Sequence, residues 1–150
     1  MNGFGYVDLG LPSGLKWATC NVGATKPEEA GNKDFYCTRD KSKSALTEQV
    51  VEVMGEGWEA PSGTQVQELV DECIWTWTDN YYFTGVSGYI VKSKVNDNHI
   101  FLAHSFTLPG GYYGYMVTQA AIFKISKDEY GINISSSHSG NYYYMRAVCK

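Results

Sequence analysis

The clearest change of hydrophobic pattern in the chain falls at residue 73, where a helical period gives way to a strand period. Before it, four apolar residues are spaced at i, i+3, i+4 and i+7, which defines one face of an α-helix. They are Val66, Leu69, Val70 and Cys73. Ser62 and Gln65 have capping-box spacing, so this helix is predicted to begin just after Ser62. Over 74–78 two tryptophans alternate with Ile and Thr, which predicts an extended segment that turns at Asp79–Asn80.

A second helix is predicted earlier in the chain, from about Ala45 to Met54. Ser44 is placed to cap its N-terminus, and Gly55 is placed to end it. Its inner face is predicted to hold Leu46, Val50 and either Val53 or Met54. Trp58 follows the glycine-rich join and is expected to fill the core behind it.

Period-two segments and turn residues on both sides of the helices predict antiparallel strands, with Asn96–Asn98 as a hairpin turn. A single helical turn is expected at Pro27, and Asp128–Gly131 is expected to turn the chain into a strand with Ile132 and Ile134 inward. The predicted strands are Gly5–Leu11, Leu15–Asn21, Gly88–Val95, His99–Ala103, Thr118–Ser126, Gly131–Ser135 and a last strand from near Tyr143. Two helices followed by strands and long loops predict one α+β domain over residues 1–150.

Residues 130–144 are made almost entirely of Tyr, Ser, Asn, Gly and His, with Ile132 and Ile134 as the apolar exceptions. These are the residue types used where a surface contacts many shapes at low entropic cost. In the strand expected near Tyr143, alternation would place Tyr143, Met145 and Ala147 on one face and Tyr142 and Tyr144 on the other. This composition predicts a binding surface, although a polar strand edge without a partner would have the same composition.

The bulk composition is that of a globular domain, with 43% hydrophobic and 19% charged residues and twelve tyrosines among 150 residues. A net charge of −4 provides no basic field for nucleic acid and no polybasic membrane patch. No apolar run approaches the roughly eighteen residues that span a bilayer. The first ten residues lack the charged and apolar regions of a signal peptide.

Candidate chemistry is sparse. Four widely spaced cysteines, without a close pair, are compatible with reduced buried thiols or with two disulfides in any of three connectivities. They are Cys20, Cys37, Cys73 and Cys149. Asn96–Asn98 is the densest oxygen cluster and is better explained as a turn than as a calcium site. His99 and His104 are expected to be structural or surface groups, whereas His138 is a contact candidate. We therefore expect no metal, no cofactor and no catalysis.

Four short motifs, taken in order, resemble one family. They are YVDLGLPSGLKWATCNVGATKPEEAGNKDFY at 6–36, GEGWEAPSGTQVQELVDECIWTW at 55–77, IFLAHS at 100–105 and MRAVCK at 145–150. The first is similar to the "DLGL…WATCNVGA…PEE" block of the Fibrobacter succinogenes major paralogous domain. The chain departs from that family at Ala147, where a proline is usual, at Gly114–Thr118, and in the shorter and more charged segment from Cys37 to Ala45.

This resemblance implies a C-type lectin-like fold, close to the formylglycine-generating-enzyme branch, in which the two termini pair as neighbouring strands. It implies a surface-exposed or secreted module of gut bacteria or their phages. Some relatives resemble variable proteins of diversity-generating retroelements, in which adenine-directed mutagenesis rewrites codons near the C-terminus. The residue types of 133–144 are those that randomised AAY codons yield, and a polar hairpin would have the same composition.

The sequence and the resemblance together predict a non-enzymatic display module that binds a protein or glycan on a cell surface. The expected location is extracellular or at the cell surface, as a secreted protein, a lipoprotein module or part of a phage particle, with any leader removed. Two alternatives are a metal-independent carbohydrate-binding adhesin and an oxidoreductase-like relative of formylglycine-generating enzymes. The predicted contact residues are Tyr112, Tyr113, Tyr115, Asn133, Ser135, Ser137, His138, Asn141, Tyr142 and Tyr144.

Overall fold

The computed structural model describes residues 3–29, 35–36, 43–104, 115–116, 121–126, 129–134, 142–143 and 145–150. Within these ranges the chain is α+β, as predicted, with two helices and short antiparallel sheets. The helices are α1 (Lys43–Met54) and α2 (Gly63–Glu72). The strands are β1 (Tyr6–Val7), β2 (Lys16–Ala18), β3 (Phe35–Tyr36), β4 (Cys73–Thr78), β5 (Gly88–Ser93), β6 (His99–Ala103), β7 (Tyr115–Met116), β8 (Ala121–Ser126), β9 (Glu129–Ile134), β10 (Tyr142–Tyr143) and β11 (Val148–Cys149).

The two ends of the chain meet in one sheet of order β1-β2-β11, which we call the terminal sheet. Val148 pairs with Trp17, and Cys149 pairs with Lys16. Backbone bonds extend this join, because the Ala18 amide donates to the Ala147 carbonyl at 3.0 Å. The predicted pairing of the C-terminal residues with the N-terminal block is therefore confirmed.

The last strand predicted from near Tyr143 is not continuous, and the faces predicted for Tyr142–Tyr144 concern side chains outside the described ones. Strand pairing covers only Val148–Cys149, and Tyr142–Tyr143 forms a separate strand against Phe35–Tyr36. Met145–Cys149 is buried at every position, including Arg146. Residues 145–149 therefore have no solvent-facing side, because this segment lies inside the core with protein on both sides.

Helix α2 follows its sequence pattern closely. The Gln65 amide donates to Ser62 Oγ at 3.2 Å, and the Ser62 amide donates to Gln65 Oε1 at 2.8 Å, which completes the predicted capping box. Val66 and Leu69 are buried in the main core.

Helix α1 begins at Lys43, so Ser44 lies inside the helix and is not its cap. The end is as predicted, since Gly55 takes φ +91° and its amide donates to the Val51 carbonyl at 2.8 Å. Met54 is the buried partner of Leu46 and Val50, while Val53 is 38% exposed.

The sheet β4-β5-β6 has three strands of five or six residues, and its antiparallel register confirms the predicted hairpin. One face joins the main core, where Trp75 and Trp77 meet the Tyr89 ring edge-on at 5.5 and 5.1 Å. The opposite face carries a smaller cluster, the outer cluster, formed by Tyr81, Phe101 and Ala103 with Val86 and Ile90 against them.

Several predicted bounds change at the N-terminus. The strands expected over Gly5–Leu11 and Leu15–Asn21 shrink to β1 and β2. The reason is that the loop after β1 is bonded to the β5–β6 hairpin, with Ser93 Oγ donating to the Leu9 carbonyl at 2.7 Å. No helix forms at Pro27, where the Glu29 amide donates to the Lys26 carbonyl in a simple turn.

The remaining strands form the sheet β7-β8-β9 and the pair β3-β10. Strand β8 covers Ala121–Ser126, and the predicted strand residues 118–120 lie outside the described residues. The expected turn at Asp128–Gly131 is wrong for Glu129–Gly131, which belong to β9 and pair with Lys124–Ser126. None of the described helices is long and apolar enough to cross a membrane.

Candidate functional site

Three of the predicted contact residues lie on described strands. Tyr115 pairs with Phe123, and Asn133 pairs with Ile122, so both belong to the sheet β7-β8-β9 on opposite sides of β8. Tyr142 pairs with Tyr36 in a different strand pair. The others lie outside the described residues: Tyr112, Tyr113, Ser135, Ser137, His138, Asn141 and Tyr144.

The oxygen-rich turn Asn96–Asn98 has the structural role expected of it. Asn96 Nδ2 and Asn98 Nδ2 both donate to the Asp8 carbonyl, at 3.2 and 2.9 Å. The Asn98 amide donates to Asn96 Oδ1 at 2.9 Å, which closes the turn. These side chains therefore hold the N-terminal loop against the hairpin. Across the described ranges, no group of three or more His, Cys, Asp or Glu is placed to hold a metal ion.

The tryptophans belong to the core, as predicted. Trp58 is fully buried, and Trp75 and Trp77 pack against the main core from its edge. The Trp75 indole donates to the Leu69 carbonyl at 3.2 Å, and the Trp77 indole donates to Asp79 Oδ1 at 2.8 Å. Their rings are thus used for packing and are not arranged as an open stacking surface.

Three cysteines are free thiols: Cys20, Cys73 and Cys149. Cys73 and Cys149 are buried, and Cys20 is half-buried. Burial raises the pKa of all three thiols, to about 11 for Cys73. A raised pKa keeps a thiol protonated and poorly nucleophilic at neutral pH. The fourth cysteine, Cys37, lies outside the described residues.

The two described histidines make ring contacts. His99 Nε2 lies 3.1 Å from the Tyr81 hydroxyl in a hydrogen bond. The His104 ring meets the Trp77 ring edge-on at 5.3 Å, and burial lowers the pKa of His104. His99 and His104 thus have the structural or surface role expected of them.

The most exposed aromatic side chains of the described chain were not anticipated from the sequence. Tyr82 is 69% exposed and Phe83 is 95% exposed, and we call this pair the aromatic tip. Both residues have positive φ, +42° and +63°. The left-handed region costs a non-glycine residue about 1–2 kcal/mol, so the backbone is strained at two consecutive positions.

Hydrogen bonds close the loop on both sides of the tip. The Thr84 amide donates to the Tyr81 carbonyl at 2.9 Å, and the Tyr81 amide donates to the Val86 carbonyl at 3.0 Å. The Gly85 amide donates to Asn80 Oδ1 at 2.7 Å. These bonds lie within residues 80–86, and they hold the strained conformation in place.

Tyr81 anchors this loop to the outer cluster. Its ring stacks on Phe101 with centroids 4.0 Å apart and planes inclined by 9°. Burial raises the pKa of the Tyr81 phenol, which also bonds His99. Tyr81 is buried while its neighbour Tyr82 points outward, with ring centroids 4.6 Å apart. In the run Asn80–Phe83 a turn residue precedes three aromatics, and no sequence signal separates the buried Tyr81 from the exposed pair.

Comparison with known proteins returned no match: no family model fits the chain, and neither a curated protein nor a solved structure is similar to it. The resemblance drawn from short motifs therefore stays a prediction. The α+β architecture rests on the geometry of the chain itself.

Proposed function

We propose that this protein is a non-enzymatic binding and display module with a C-type lectin-like fold. Its contact surface is formed by the Tyr, Ser and Asn residues of 112–115 and 133–144, and its ligand is a protein or glycan on a cell surface. The module acts at the cell surface or outside the cell. Diversification of its C-terminal codons by a retroelement is part of this proposal.

The observation that carries the proposal is the way in which the ends of the contact segment are tied. On one side, β9 runs to Ile134 and pairs along its whole length with β8. On the other side, Tyr142–Tyr143 pairs with Phe35–Tyr36, and β11 closes the terminal sheet. A variable segment that begins and ends on paired strands can change its residues without losing its supports.

The pairing of the two chain ends supports the finer fold assignment. In the terminal sheet the last strand, β11, pairs with the N-terminal strand β2, in line with the paired chain ends that the motif resemblance implies. Two helices lie between the first strands and the later sheets in the chain order, also as expected of that fold.

The described thiols do not support the oxidoreductase alternative. Copper-dependent oxidation by a formylglycine-generating-enzyme relative needs two accessible cysteines close together. Cys73 and Cys149 are buried, and burial raises the pKa of both. Nothing in the described chain therefore favours that alternative.

A binding screen with substitutions at the contact surface tests the proposal. The labelled protein is applied to arrays of cell-surface glycans and extracellular proteins and to intact gut bacteria. Tyr142→Ala and Asn133→Ala are expected to weaken the strongest signal at least tenfold. Tyr6→Ala is the matched control, because Tyr6 is an exposed tyrosine of the terminal sheet. Equal binding by all variants would contradict the proposed surface.

The neighbouring DNA tests the diversification separately. A reverse transcriptase gene beside a near-copy of the 3′ end, mismatched only at adenines, is expected. A genomic context without these two elements would leave the binding module but remove its diversification.

A further inference from the structure

We propose that the aromatic tip is a second binding site, which stacks on neutral saccharides. This site is separate in sequence from the C-terminal contact surface and does not rest on it. Tyr82 and Phe83 lie in the connection between β4 and β5, and the structure describes their side chains in full.

The conformation of the tip is difficult to explain by folding alone. Two adjacent large aromatic residues are held at positive φ, where glycine would be free of strain. Neither side chain gains much burial in return, since Phe83 leaves 95% of its surface in water. The hydrogen bonds of residues 80–86 hold this strain in place, and backbone strain held in this way is concentrated at functional positions.

The loop is prepared for binding before any ligand arrives. Tyr81 is fixed by its stack on Phe101 and by its hydrogen bond to His99. The bonds of Thr84, Gly85 and Val86 close the chain behind the tip. A rigid display removes most of the ordering cost of binding.

The surroundings of the tip identify the kind of ligand. Residues 78–91 contain no Lys or Arg, and the carboxylate of Asp79 precedes the tip. Two charged side chains of opposite sign, Glu28 and the buried Arg146, act on the Tyr81 phenol, and Arg146 is bonded to oxygens inside the core. A loop without Lys or Arg offers no cation to pair with the phosphates of nucleic acids and lipids or with acidic sugars, which favours neutral ligands.

The groups beside the rings fit the mixed surface of a pyranose. The faces of aromatic rings carry partial negative charge, which attracts the polarised C–H groups of a sugar. The Asn80 and Thr84 side-chain oxygens accept from the Gly85 and Val86 amides. The Asn80 NH2 group, the Thr84 O–H and the Tyr82 hydroxyl can bond the hydroxyls of a sugar. Membrane insertion is less suited, because one apolar side chain gives too little binding energy for stable attachment.

An array of neutral and acidic oligosaccharides tests this site, followed by titration of the best ligand. Wild type is expected to bind neutral oligosaccharides, and Tyr82→Ala and Phe83→Ala are each expected to bind roughly tenfold more weakly or worse. Tyr82→Phe and Phe83→Tyr keep the rings and are expected to stay within about threefold of wild type. Val95→Ala is the control, since Val95 is 73% exposed in a different loop.

Phe83→Leu separates a saccharide from a protein ligand. Leucine keeps an apolar side chain but removes the ring, so saccharide binding is expected to fall as far as it does in Phe83→Ala. Retained binding by Phe83→Leu would point to an apolar pocket on a partner protein and would overturn the proposal. Absence of any neutral ligand, or binding indifferent to the tip variants, would also overturn it. Tyr6→Ala, at an exposed tyrosine outside both surfaces, is expected to leave tip binding unchanged. Loss of binding in the tip variants alone would support this site whether or not the C-terminal surface binds a ligand.

Discussion

Arg146 and the aromatic tip differ in how the fold places them: a charged side chain is buried, whereas an apolar side chain is exposed. Arg146 is 1% exposed, and its guanidinium donates to Asn21 Oδ1 at 2.8 Å and to the Phe101 carbonyl at 2.8 Å. It also reaches the Ala18 carbonyl at 3.2 Å, so it joins the terminal sheet to β6. Phe83 is an apolar side chain left in water on a strained backbone. The buried guanidinium of Arg146 fixes the position of the terminal sheet against β6. The exposed ring of Phe83 is available for the ligand contact that we propose.

Removing Arg146 is expected to have the largest effect on stability. Arg146→Ala leaves buried oxygens of Asn21, Ala18 and Phe101 without their donor, which costs about 3–5 kcal/mol of unfolding free energy. Equilibrium denaturant unfolding measures the loss. The control is Lys150→Ala, an exposed residue near the same sheet, which is expected to change stability by less than about 0.5 kcal/mol. A loss below about 1 kcal/mol in Arg146→Ala would show that this network does not hold the scaffold.

Gly88→Ala is expected to destabilise the sheet that supports the tip. An added Cβ would lie 2.3 Å from the Leu102 carbonyl oxygen and 2.9 Å from the Ala103 Cα, both backbone atoms in the paired strand. Relief requires β5 and β6 to separate, which costs about 1–3 kcal/mol. Gly14→Ala is the control, because an added Cβ there would have no atom of a non-adjacent residue within 4 Å. Its φ of +77° makes alanine strained, so this variant is also expected to lose some stability. Thermal unfolding followed by circular dichroism ranks the two, and Gly88→Ala should be the less stable.

Phe83→Gly is expected to stabilise the protein, whereas Arg146→Ala is expected to destabilise it. Glycine at φ +63° relieves about 1–2 kcal/mol of strain. Because glycine also increases the conformational entropy of the unfolded chain, the net gain in unfolding free energy is about 0.5–1 kcal/mol. The melting temperature should rise by roughly 1–4 °C for a chain of this size. Thr84→Gly, at a residue with an ordinary φ of −81°, is expected to lower it. A fall in melting temperature for Phe83→Gly would mean that the ring supports the fold.

The smallest expected effect is a pH dependence at His104. Burial lowers the pKa of this histidine in the folded protein below its usual value of 6.5. Unfolding then takes up a proton, so the contribution of His104 is fully present above pH 6.5 and is lost as pH falls through and below that value. Unfolding midpoints of wild type and His104→Gln between pH 5 and 8 are expected to converge at the acid end. Parallel profiles would exclude His104 as the cause.

Elements that local residue patterns determine could be predicted from the sequence, whereas contacts between residues distant in the chain could not. The capping box at Ser62 and the hairpin around Asn96–Asn98 were found because local residue types determine them. Ser44 is predicted to cap α1, but the helix already begins at Lys43. Serine is also tolerated within the first turn, so its presence alone does not fix the first residue of a helix.

Long-range contacts explain the other differences. Arg146 sits in a strand-like run with nothing local to show that oxygens from residues 18, 21 and 101 converge on it. Tyr82 and Phe83 were missed because aromatic residues after a turn usually belong to the core. Of the predicted contact surface, the structure describes the backbone of Tyr115, Asn133 and Tyr142, and the ligand remains a proposal.

The topology of the terminal sheet also has a mechanical consequence. Strands β1 and β11 are both antiparallel to β2, which lies between them, and are therefore parallel to each other. A force that pulls the first strand backward and the last strand forward acts along the strands and across their hydrogen bonds. The bonds of both pairs must then shear together instead of opening one at a time. A tether through the two ends of this domain would load the sheet in its strongest direction, while the β4–β5 connection that carries Phe83 lies outside the line of tension.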